Sequence, residues 1–119
     1  MESYTLTETD GPYLEFEEKD PSAVSQYQVD VSALVPADGG FETLEVEVEA
    51  PGNGESPIGL SAFGAYFPDA TGSPALGTII NFWLRGGTNK VRYRGVITAT
   101  GPGSPALVIV KRFYVVVRK

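Results

Sequence analysis

The sequence predicts an all-β fold, an antiparallel sandwich of about seven strands with an extended N-terminal arm. Three observations predict it. Apolar and polar residues alternate with a period of two along several short stretches, the signature of strands with one buried face. Turn signals recur at spacings of about ten residues, and the chain of 119 residues holds 14 Gly and 9 Pro. No stretch of comparable length carries a helical period.

In chain order, residues 1–20 read as the arm. E-F-E-E-K-D packs five charges into six residues, while Tyr4, Leu6, Tyr13, Leu14 and Phe16 are apolar enough to dock on something. Pro21 favours an extended or turn geometry after Asp20; alternatively, Asp20 or Ser22 caps a single turn through Gln26. Residues 21–119 read as one sandwich domain. Tyr27 to Leu34 alternates Tyr27, Val29 and Val31 against Gln28, Asp30 and Ser32, giving a first strand. Pro36 to Gly40 is a turn with an Asp-Gly signal. Phe41 to Ala50 sets Leu44, Val46, Val48 and Ala50 against Glu45, Glu47 and Glu49, a strand with one wet face. Pro51 to Pro57 is a loop. Ile58 to Phe67 is an irregular strand interrupted by Gly59 and Gly64. Residues 68–77 form a second long connection. Leu107 to Arg118 is a last strand, so continuously apolar that burial on both faces or cover by a partner is expected.

The stretch from Thr78 to Thr100 is the centre of the pattern. Ile80, Phe82 and Leu84 alternate with Ile79, Asn81, Trp83 and Arg85. Then come Gly86 and Gly87, and Val91, Tyr93, Ile97 and Ala99 alternate with Arg92, Arg94, Val96 and Thr98. It reads as a hairpin whose tight turn uses the positive φ angles open to glycine. If Phe82 and Leu84 point inward, Trp83 points outward and becomes an interface anchor; the reverse register, a slip of one residue, buries it. Tyr93, early in its strand, is placed to be the corner tyrosine of an immunoglobulin-like sandwich.

Composition removes much chemistry. The chain has no histidine and no cysteine. This excludes the Ser-His-Asp triad, a cysteine nucleophile, thiolate metal sites and disulfides. Gly101-Pro102-Gly103-Ser104 lacks the lysine and helix of a phosphate loop. Glu45, Glu47 and Glu49 are spaced as carboxylates that could serve hydrolysis, but without surrounding aromatics they read as a solvated face. No catalytic, cofactor-binding or metal-binding residue is assigned, and the chain is not expected to be an enzyme. No apolar run approaches the length of a bilayer span, and the acidic start lacks the features of a signal peptide.

The net charge of −6 hides a division. Residues 1–50 carry 13 acids and one base, Lys19, whereas residues 51–119 carry two acids and eight bases. An acidic balance argues against nucleic acid as the main partner. Copies placed side by side would bring the acidic arm against the basic stretch of a neighbour, and a contact between unlike patches closes into a ring when its rotation allows. The residues expected at partner contacts are Leu14, Phe16, Glu17 and Glu18 of the arm, with Trp83, Arg85, Arg92 and Arg94. The arm is expected to order on the neighbouring copy.

Two blocks also resemble a known family. One is K-D-P-S-A-V-S-Q-Y-Q-V-D-V-S-A-L, Lys19 to Leu34. The other is F-W-L-R-G-G-T-N-K-V-R-Y-R-G-V-I-T-A-T-G, Phe82 to Gly101, followed by K-R-F-Y-V-V-V-R. Together they resemble the small tailed-phage proteins called fiber–tail adaptors. Those carry a Lys-Asp-Pro block leading into a Tyr-x-(Ile/Val)-Asp strand, then a Trp-Leu-x-Gly-Gly-Thr turn, a Tyr-bearing strand and an Arg-flanked terminal strand. This sequence departs from the pattern at Val31, where the family often has Trp, and in a longer middle, residues 51–77. The resemblance implies a bacteriophage virion structural protein with an immunoglobulin-like fold, made in the host cytoplasm and present in several copies near the tail. It implies an adaptor at the head–tail or tail–fiber junction, with other phage structural proteins (portal or connector, tail, fiber) as partners and a homo-oligomeric ring. It implies no cofactor and no membrane partner. A capsid decoration (cement) protein is the alternative. In another class stands a carbohydrate-binding module, for which Tyr66, Phe67, Trp83 and Tyr114 are the candidate platform.

Overall fold

The period-two stretches bury the faces that their spacing requires. Tyr27 and Val29, then Ile80, Phe82 and Leu84, then Tyr93, Ile97 and Ala99 all turn inward and are buried. The computed structural model describes residues 2–5, 13–35, 39–49, 59–72, 75–103 and 106–119. It contains β1 (Glu2–Thr5), β2 (Tyr13–Glu15), β3 (Val24–Asp30), β4 (Thr43–Val48), β5 (Leu60–Tyr66), β6 (Ile79–Gly86), β7 (Val91–Thr100) and β8 (Val108–Val117). One sheet has the order β1-β3-β6-β5 and the other β2-β8-β7-β4. This is the strand order of the immunoglobulin fold, with β2 added beside β8. The only helical turn among the described residues is a 3₁₀ turn, Ser32–Leu34.

The two sheets meet over a stack of rings. Phe16 stacks on Tyr27 at 4.5 Å and on Phe113 at 4.8 Å between centroids, and Phe82 lies 5.5 Å from both Tyr27 and Phe113. Tyr27 and Phe82 come from one sheet and Phe113 from the other, so these rings join the layers. Gly95 leaves the space for Phe113, because a Cβ there would overlap its ring.

The expected hairpin at 78–100 is a crossing between sheets. β6 pairs with β3 and β5, whereas β7 pairs with β4 and β8. A Gly-Gly step with positive φ serves either a hairpin or a corner, and period-two alternation fits both. Here φ is 80° at Gly86 and 107° at Gly87. Tyr93 is the corner tyrosine expected of it: its hydroxyl accepts the Thr88 backbone N–H at 2.9 Å, five residues upstream.

The N-terminal segment is extended, but it is built into its own sandwich. β1 runs parallel to β3 and β2 runs parallel to β8. Phe16 is 6% exposed. Its backbone N–H donates to the Tyr114 carbonyl, and that of Lys19 to the Val116 carbonyl. Lys19 itself is buried at 2% exposure, and its Nζ donates to the carbonyls of Asp20 at 2.9 Å and Gly86 at 2.8 Å. Burial pulls its ammonium below the ordinary lysine value, with Asp20 acting in the opposite direction. Over residues 13–20 the expectation of an arm ordered on a neighbouring copy therefore fails. Apolar burial explains Phe16, and the carbonyls of adjacent Asp20 and distant Gly86, which need a donor, explain Lys19.

Smaller differences have local causes. The first strand ends at Asp30, not Leu34, because Asp30 Oδ1 accepts the Ser32 N–H and starts the 3₁₀ turn. Asp20 does cap a turn, accepting from the N–H and hydroxyl of Ser22, but β3 follows directly. Asp69 closes the connection from β5 to β6 by accepting from the Thr78 N–H and hydroxyl and the Ile79 N–H. Residues 36–38 of the turn expected at Pro36 to Gly40, and the loop expected at Pro51 to Pro57, lie outside the described residues.

Candidate protein-binding face

The outward residues of β3, β6 and β5 form a grid set by strand register. Its rows are Val24–Arg85–Ser61, Gln26–Trp83–Phe63, Gln28–Asn81–Tyr66 and Asp30–Ile79. With Phe82 and Leu84 fully buried, Trp83 takes the outer face and is half-buried there. It lies between Phe63 at 6.1 Å and Tyr66 at 6.2 Å, both nearly parallel to it. Phe63 is 37% exposed and Tyr66 48%. The Arg85 guanidinium sits 4.9 Å above the Phe63 ring.

Phe63 and Tyr66 are three residues apart, so a regular strand would send them to opposite faces. The register of β5 shifts between them. Gly64 makes the shift with φ +67°, and a Cβ there would come within 2.6 Å of Trp83 Cε3. A bulge of this kind re-aims side chains. Sequence reasoning missed Phe63, and the glycine inside a strand pattern was the available signal.

Amides line the other side of Trp83. Asn81 is fully buried. Its Oδ1 accepts from Gln26 Nε2 at 2.7 Å and, weakly, from Gln28 Nε2 at 3.4 Å. Its Nδ2 has no acceptor among the described residues.

The outer face of the other sheet is different. Arg92 pairs with Glu15 and lies 4.0 Å above the Tyr114 ring. Arg94 and Arg112 both pair with Glu49, at 2.6 Å and 3.1 Å. Arg118 pairs with Glu18 at 3.0 Å. Glu45 and Glu47 stand together as like charges. The hydrogen bond that protonated Glu47 donates to the Glu45 carboxylate, together with the Glu45 charge, raises the Glu47 carboxyl above the ordinary value.

The eight expected contact residues are thus dispersed. Trp83 and Arg85 share one face. Glu18, Arg92 and Arg94 are neutralised within the chain, so the acid-to-base contacts expected between copies close inside one molecule. Glu17 is exposed. Leu14 packs against the core, and Phe16 is part of it, which corrects their expected role as the apolar part of a contact between copies. The carbohydrate platform is divided as well. Tyr66 and Trp83 are together, but Phe67 packs towards Phe41 at 6.4 Å and Tyr114 lies under Arg92 on the other sheet.

Among the described residues, no three acidic, histidine or cysteine side chains gather to hold a metal ion, and no helix is long and apolar enough to cross a membrane. No protein-family model matches the chain, and no curated protein matches it.

Proposed function

We propose that this chain is a non-catalytic structural adaptor of a tailed-phage virion, acting through protein–protein contacts at the head–tail or tail–fiber junction. One observation carries the reading. The two blocks that resemble fiber–tail adaptors pack as a single unit: β3 runs along β6, and Lys19 of the first block donates to the Gly86 carbonyl of the second. In this chain the two resembling blocks thus form one piece of architecture and not two separate strings. Within that unit, Trp83 and Arg85 come from the second block, and tryptophan, tyrosine and arginine are the residue types that dominate binding energy at interfaces. The docking face is accordingly the outer face of β3, β6 and β5.

Immunogold labelling of purified particles with an antibody to this chain tests the reading. Label confined to the tail or to the head–tail junction is the expected result. Label spread evenly over the capsid would favour a decoration protein, and particles without label would end the proposal.

A further inference from the structure

The outer face of β3, β6 and β5 is complementary to itself when turned end for end. Its first row, Val24–Arg85–Ser61, carries a cation, and its last row, Asp30–Ile79, carries an anion. These are the only charged residues among the rows of these three strands, and neither has an ionic partner among the described residues. A twofold axis lying in the face, across the strands and between the two middle rows, exchanges the first row with the last. Two copies packed face to face about that axis would set Arg85 of each beside Asp30 of the other. The same operation lays Phe63 over Tyr66 of the second copy and Gln26 over Gln28. Val24, 61% exposed in the single chain, would be covered by the opposing last row.

We propose that this face is a self-association surface whose occupant is a second copy of this chain. The pairing is isologous, with each patch meeting its own image. It rests on the reading of the face as a protein-contact surface and names the partner. The three strands offer a footprint of roughly 300 Å² at ordinary strand spacing and rise. A stable interface buries about 800 Å² per partner. The pair is therefore weak in dilute solution and formed where copies are held close together, as in an assembly. Opposite charges at its two ends fix register more than affinity, and salt loosens it.

Sedimentation equilibrium from about 10 μM to about 1 mM covers the range expected for so small a footprint. Emission from Trp83, the sole tryptophan, reports cover of the face in the same samples. The expected result is a monomer passing to a dimer as concentration rises, with a blue shift of the emission. Arg85→Glu and Asp30→Arg should each lower dimer affinity at least tenfold, and the double variant should recover most of it. Asp30→Asn keeps an acceptor for the Ser32 N–H and removes only the charge, so it should also weaken the dimer if the capped turn is not the cause. A protein that stays monomeric to about 1 mM, or a dimer indifferent to the single variants, overturns the inference. So does a double variant no tighter than either single one. The two readings fail separately. Labelled particles with a persistent monomer would keep the adaptor and end the pairing, whereas charge-dependent pairing with unlabelled particles would do the reverse.

Discussion

The two outer faces of this sandwich are made from strands of similar length but carry opposite surface chemistry. On the β2-β8-β7-β4 side, arginines from β7 and β8 meet glutamates from the N-terminal segment and the end of β4, and most of the charge is neutralised in place. On the β3-β6-β5 side, three rings and three amides stand nearly without charge. The difference shows where the division between an acidic first half and a basic second half goes. Much of it is spent inside the chain, closing the N-terminal segment onto β7 and β8. What is left nearly uncharged is the face with Trp83, and depletion of charge around aromatic residues and arginine is the pattern of an interface core; the other face keeps exposed Val108 and Val110 beside its ion pairs.

Substitutions on the two sides test this contrast. The largest effect is expected in the core that the N-terminal segment closes. Phe16→Ala removes a ring that stacks on both layers, and a loss of about 3–5 kcal/mol is expected in urea unfolding. Trp83→Ala, on the nearly uncharged side, should cost less than about 2 kcal/mol, most of it from ring contacts. Equal losses would mean that Trp83 is core and that the two faces do not differ as described. The same reasoning predicts that a chain lacking residues 1–18 is markedly destabilised.

Lys19→Met should have the next largest effect. It leaves the Gly86 carbonyl, at the end of the nearly uncharged face, and the Asp20 carbonyl without their donor. A loss of about 1–3 kcal/mol is expected, and a neutral result would mean that water replaces the ammonium.

The connection from β5 to β6 adds a dependence on acid. Burial of Asp69 works against its charged form, but hydrogen bonds from Ile79 and Thr78 outweigh it and hold the carboxyl below the ordinary value. A group depressed in the folded state contributes stability above its unfolded value, about 4, and loses it as pH falls through the folded value. The stability gap between the natural protein and Asp69→Asn should thus be full at pH 7 and shrink below about pH 4. A gap independent of pH would contradict the role of the charge.

The smallest effect is expected at the exposed ion pairs. Glu15→Gln and Arg92→Gln should each change stability by less than about 1 kcal/mol. Their double-mutant cycle measures the pair itself, and a coupling well above that would make the charged face a principal source of stability.

The strands were legible in the sequence because burial of one face imposes a period of two that survives without knowledge of neighbours. Tyr93 was legible for a similar reason, since its partner, Thr88, is only five residues away. Three features were not. The crossing at Gly86 and Gly87 has the same local chemistry as a hairpin, and only the distant pairing of β7 with β4 and β8 distinguishes them. Phe16 and Lys19 sit in a run of charges that reads as solvated, and the groups that bury them, Phe113 and Gly86, are far along the chain. The grouping of Phe63 with Tyr66 depends on a bulge that hides the alternation of β5. In each case the deciding contact is long-range while the local signal permits two answers.

On the proposed reading, the Trp83 face is the one expected to make contacts in a particle and the Arg92 face is not. Incorporation into particles measures it most directly, with Trp83→Ala/Tyr66→Ala compared against Glu15→Ala/Arg92→Ala in chains verified to fold. The expected result is that the first pair is lost from particles while the second enters at the normal copy number. Normal entry of the first pair with loss of the second would contradict it.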